Sequence, residues 1–134
     1  MTPFIEEAAR LLRLAERDYR SFSILFNHPD ADLAAACFHA QQSVEKALKA
    51  VLTMLQVGYP RTHDLELLGQ LIIDEGIEIP LAPRELRRLN PYAVVFRYDE
   101  QSCSLLTGEQ ADRIATDLLA WANSQTQQVA AQFP

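Results

Sequence analysis

Residues 37–68 read CFHAQQSVEKALKAVLTMLQVGYPRTHDLELL, and this stretch decides the fold. Cys37, Val44, Leu48, Val51 and Leu55 recur at helical spacing, with Ala40 and Ala47 on one flank and Phe38 and Leu52 on the other. At about 100° per residue, Gln41 falls near the centre of this apolar face and Glu45 on its edge. Lys49 follows Glu45 by one turn, a favourable pairing. Lys46 and His39 are expected to point away from the core. A buried polar group without a partner costs about 1–3 kcal/mol, so a helix that only packs has no need of Gln41 and Glu45 there. They are expected to serve a site or an interface. Gly58-Tyr59-Pro60 is expected to break the helix, and Arg61-Thr62-His63-Asp64 stands at the mouth of the next, with Thr62 or Asp64 as its cap.

On the N-terminal side, Thr2 is placed to cap a first helix with Pro3 at its first position and Glu6 and Glu7 in its first turn. Phe4, Ala8, Leu11, Ala15, Phe22 and Phe26 share one face, and Asp18 falls inside that stripe. Asn27-His28-Pro29-Asp30 turns the chain into the second helix, which is expected from about Ala31 to Gln56. On the C-terminal side, Leu65, Leu68, Leu71 and Ile72 make a short third helix ended by Asp74-Glu75-Gly76. Pro80 and Pro83 frame a loop, and a short helix follows through Leu86 and Leu89. Asn90-Pro91 interrupts it, and Tyr92 to Tyr98 adds a turn or two. Thr107 and Gln110 form a capping-box pattern ahead of a last long helix carrying Ala111, Ile114, Ala115, Leu118, Trp121, Ala122 and Val129 on one face. No strand-like alternation occurs. The expectation is an all-α fold, one domain over residues 1–134, arranged as an up-and-down bundle of four to five helices.

The net charge of −6 argues against broad, non-specific nucleic-acid binding, although Arg61, Arg84, Arg87, Arg88 and Arg97 cluster in the middle third. No run approaches the ~18–20 apolar residues of a membrane span, and the acidic start MTPFIEEAARLL lacks the bases of an export signal. Cys37 and Cys103 have no CxxC spacing and are expected to be reduced core thiols in a cytoplasmic protein. With His28, His39 and His63 they form no zinc-ligand pattern, and neither a metal nor a cofactor is expected. No phosphate-cradling glycine loop and no hydrolase motif is present, so no catalytic residue is assigned.

Two readings of the polar residues compete. The plainer one is a structural network of Asp18, Gln41, Glu45, Lys49 and His63. The sharper one is an anion site in which Lys49, Arg61, His63, Arg97 and Tyr98 meet a phosphate-bearing ligand, helped by unpaired N–H groups at the start of the third helix.

The chain resembles the HEPN family of small helical domains. LAERDYRSF looks like its first-helix pattern, with Asp18 in the acidic position. FHAQQSVEKALKAVL is similar to its second-helix signature, with Gln42, Glu45, Lys49 and Ala50 on the pattern. RTHDLELL matches the opening of its third helix, and PYAVVFRYDE looks like its later Tyr…Arg-Tyr element. The resemblance implies a helical bundle, a homodimer, and a gene beside a minimal nucleotidyltransferase, such pairs often acting as toxin and antitoxin. Many members are metal-independent ribonucleases that use an Arg followed, about four to six residues on, by a His. This sequence departs from that motif: one residue separates Arg61 from His63, seven separate Arg20 from His28, and no histidine follows Arg97. The implied role is therefore a nucleotide-binding or partner-binding subunit of such a pair. The alternatives are a ribonuclease toxin with a non-standard site built from Arg97, Tyr98 and His63, or a purely structural dimeric interaction module.

Overall fold

The computed structural model describes residues 2–93 and 106–133. The fold is all-α. Helices α1 (Pro3–Phe26) and α2 (Leu33–Met54) are joined by a short turn, which makes them antiparallel neighbours. Then come α3 (Leu65–Ile73), the single turn α4 (Pro83–Leu86), a 3₁₀ segment (Arg87–Ala93) and the long α5 (Gly108–Ala130). No strand occurs among the described residues.

Helix α2 is the centre of the bundle. It packs against α1, α3, the 3₁₀ segment and α5. Small residues let the neighbours approach: Ala36, Ala40, Ala47 and Ala50 of α2, Ala8 and Ala15 of α1, and Ala111, Ala115 and Ala122 of α5 are all fully buried. Larger groups fill the spaces left between them, notably Phe22, Leu48, Leu52, Leu65, Leu68, Leu86, Leu89 and Leu118. Burying a side chain of that size contributes about 1.5–3 kcal/mol. Ser43 on the α1 side of α2 satisfies itself by donating to the Ala15 carbonyl at 2.8 Å, which ties the two helices together. A Cβ at Gly108 would come within 2.1 Å of the Phe26 ring, so any larger residue there would have to displace that ring.

The helix ends differ in detail from expectation. Thr2 occupies the cap position of α1, but its side chain makes no capping bond and its hydroxyl is buried without a partner. Asp32 caps α2, Asp64 caps α3, and Thr107 with Gln110 completes a reciprocal capping box on α5. Helix α2 stops before Gly58. Gln56 takes the left-handed conformation (φ 59°), with Val57 N–H bonded to Leu52 O at 2.9 Å and Gln56 N–H to Thr53 O at 3.0 Å. That is a Schellman stop built on a glutamine. Asn90 and Pro91 do not interrupt a helix; they lie inside the 3₁₀ segment, whose backbone tolerates the proline. Arg97, Tyr98 and Cys103 lie outside the described residues, while Cys37 is fully buried in the core. No helix among the described residues is long and apolar enough to cross a membrane.

Candidate functional site

The face of α2 that turns toward α3 carries its polar residues in one line. Gln41, Glu45 and Lys49 are successive i, i+4 positions, so their side chains stack along the helix. The Glu45 side chain is only 6% exposed, and three donors reach it: His63 Nδ1 at 2.7 Å and Gln41 Nε2 at 3.1 Å on Oε1, and Lys49 Nζ at 3.0 Å on Oε2. Gln41 is itself satisfied, since its amide also leans on the His63 carbonyl at 3.4 Å and accepts from Gln42 Nε2 at 2.7 Å. Burial pushes the Glu45 carboxyl up. The bonds from His63, Lys49 and Gln41 and the charge of Lys49 more than offset this, and the group ends below its ordinary value.

An ionised carboxylate only accepts, so the short contact requires the proton on His63 Nδ1. The ring is thereby fixed by a buried acid, while its own side chain is 66% exposed. Its Nε2 bonds to no other described residue. Arg61, two residues before it, is exposed. Lys49 Nζ lies 5.8 Å from the Tyr59 ring centroid, so the aromatic of the turn covers the lysine.

The start of α3 does not offer the free N–H groups expected of it. Asp64 Oδ1 accepts from Glu66 N at 3.1 Å and Leu67 N at 3.4 Å, and Asn90 Oδ1 accepts from Leu65 N at 3.0 Å. Asn90 Nδ2 in turn donates to Asp64 Oδ1 at 3.0 Å. The protein's own side chains fill the place an anion would take, which leaves Arg61, His63 and Lys49 as the groups a ligand would meet. Asn90 read as a helix breaker in the sequence; nothing local to it marks a partner 26 residues away.

Asp18 is not part of the Glu45 network. Its carboxylate takes the Lys46 ammonium and stands 3.4 Å from His39 Nδ1. Lys46 and His39 therefore do not point away into solvent; both are half-buried in the seam between α1 and α2. The reason is the position of Asp18, which faces α2 at the level of these two residues, away from Glu45. The neighbouring Tyr19 donates to Asp112 Oδ1 at 2.7 Å, tying α1 to α5.

The residues of both carboxylate clusters fall within one family model, the HEPN domain, which matches residues 8–125. The chain belongs to the HEPN domain family. No curated protein and no solved structure matches it. The matched range takes in α1 through most of α5, so both carboxylate clusters lie inside the HEPN domain. Among the described residues no group of His, Cys, Asp and Glu is arranged to hold a metal ion.

Proposed function

We propose that this HEPN chain is a binding subunit whose α2–α3 corner receives a phosphate-bearing nucleotide, and that it works as a homodimer beside a minimal nucleotidyltransferase of the toxin–antitoxin type in the cytoplasm. The observation that carries the ligand reading is the buried Glu45 carboxylate, which fixes His63 and Lys49 beside the turn that carries the exposed Arg61. Glu45 offsets Lys49 within the corner and Asp64 faces the α3 N–H groups, which leaves the exposed Arg61 as the open cation there. Arg61 supplies a planar fork suited to phosphate oxygens, and His63 Nε2 faces outward to accept or donate. The homodimer and the nucleotidyltransferase partner rest on the family resemblance. Phe22 and Tyr92 are buried in this chain's own core, and Phe4, Phe26 and Trp121 are partly buried by packing within the chain.

Calorimetric titration with ATP, GTP and a dinucleotide tests the corner. Binding of at least one is expected, weakened about tenfold or more in Arg61→Ala, as removal of a charge-assisted bond predicts. Silence with all three at millimolar ligand, or equal binding by both proteins, rejects the site.

A second reading draws on the same dyad. A carboxylate that sets the tautomer of an imidazole is the arrangement of a general base. With the family's Arg-to-His spacing absent, metal-free cleavage of a mixed RNA is expected not to occur. Cleavage that disappears in His63→Ala would promote the enzyme reading over the binding one.

A further inference from the structure

Helix α1 has a second surface that the α2–α3 corner does not explain. Its outward line runs Glu6, Arg10, Arg13, Arg17, Arg20 and Ile24, at steps of four, three, four, three and four residues. That alternation keeps side chains on one straight seam of a helix, here opposite the core-facing Ala8, Leu11, Ala15 and Phe22. From Arg10 to Ile24 the seam is about 21 Å long. All four arginines are exposed, and Ile24 is 70% exposed. Arg10 is held by Glu7 at 2.6 and 3.0 Å, whereas Arg13, Arg17 and Arg20 bond to no other described residue. The arginines border an open groove of about 380 Å³, together with Leu14 and Glu16. The chain has 12 lysines and arginines against 18 acids, so four arginines on one helix face make a local inversion of sign.

We propose that this seam docks an acidic helix of a partner protein. The spacing is that of a helix–helix contact, in which carboxylates at the same alternating steps would each meet one guanidinium. All the cations are arginine, whose rigid fork pairs with carboxylates two bonds at a time. The ends of the seam set direction: Glu6 asks for a base on the partner, and Ile24 for an apolar residue. Leu14 beside the arginines gives the partner aliphatic surface to cover. A nucleic-acid strand fits less well. Its phosphates would gain nothing from the exposed Ile24, which an apolar residue of a docked helix would cover.

The test uses the whole chain and a labelled helical peptide of about 21 residues, three heptads, with Glu facing the four arginines and Leu facing Ile24. A scrambled peptide of equal composition and a single-stranded RNA of similar length are the other probes, read by fluorescence anisotropy at about 0.15 M salt. The patterned peptide is expected to bind about tenfold more tightly than the scrambled one and more tightly than the RNA. Arg13→Glu with Arg17→Glu should abolish this binding, and a peptide with Lys in place of Glu should bind the variant instead. Arg17→Ala alone, which adds no repulsion, should weaken the patterned peptide severalfold. Equal binding of both peptides, tighter binding of the RNA, no binding at millimolar peptide, or no effect of the substitutions would each overturn the proposal.

Discussion

Helix α2 carries two clusters made from the same chemical parts, an acid, a histidine and a lysine, and it uses them in opposite ways. At the α1 seam, Asp18, His39 and Lys46 are all half-buried and all lie on helices. At the α3 corner the acid is buried, and the histidine stands on a loop, mostly in solvent. In the first cluster the carboxylate braces two helices against each other. In the second it holds an imidazole outward from below. Residue type does not separate brace from presentation; the size of the step in exposure from acid to histidine does, 17% to 30% at the seam against 6% to 66% at the corner.

The largest expected effect separates the two lysines. Lys49→Met leaves the buried Glu45 with one charged neighbour fewer and is expected to cost about 2 kcal/mol, since breaking a buried pair strands a charge. Lys46→Met, at the more open seam, is expected to cost about 0.5–1 kcal/mol. Urea unfolding of both variants measures the difference. Equal losses would erase the distinction between the clusters.

Acid sharpens it. The Glu45 carboxyl is held below its ordinary value in the fold and returns to that value, about 4.3, in the unfolded chain. Its contribution to stability is therefore complete above the unfolded pKa and is lost as pH falls through the lower folded one. Wild type should lose stability over that acid range, and Glu45→Gln should lose less there. Identical slopes would mean that Glu45 carries no net stabilisation.

The smallest effect is a control at the α1 side. Tyr19 is pushed up to about 12 by its hydrogen bond to Asp112, by burial and by the Asp112 charge. The neutral phenol favours the fold, so its contribution is present below the ordinary value of about 10 and disappears as pH rises through the folded value. Of the four tyrosines, Tyr19 should titrate near 12 by ultraviolet difference absorbance, and Asp112→Asn should lower it. A normal Tyr19 titration would break the α1–α5 tie without touching the corner.

Periodicity made the helices legible because apolar residues every three or four positions have one economical arrangement. It also set Gln41 and Glu45 on the inner side of α2, where both are buried. Helical spacing paired Lys49 with Glu45, as the structure has it, but did not give Lys46 to Asp18. Lys46 and Lys49 are three residues apart on long flexible stems, and the choice depends on how α1 and α3 cross α2. Asp18 lies inside its own helix's apolar stripe, but the level at which it meets α2 is a property of two helices together. The closed start of α3 was hidden for a similar reason, since Asn90 comes from a different element. Helix α2 ends at Met54, two residues before the expected Gln56, because Gln56 itself takes the left-handed conformation that glycine usually marks.

The central claim is that Glu45 fixes His63 with Nδ1–H inward and Nε2 outward to meet a ligand. Long-range proton–nitrogen spectra of the neutral imidazole test it directly. The account predicts the Nδ1–H tautomer in wild type, its loss in Glu45→Ala, and a shift of the Nε2 signal when ATP is added. A tautomer mixture unchanged by Glu45→Ala, with an Nε2 signal indifferent to ATP, would contradict it.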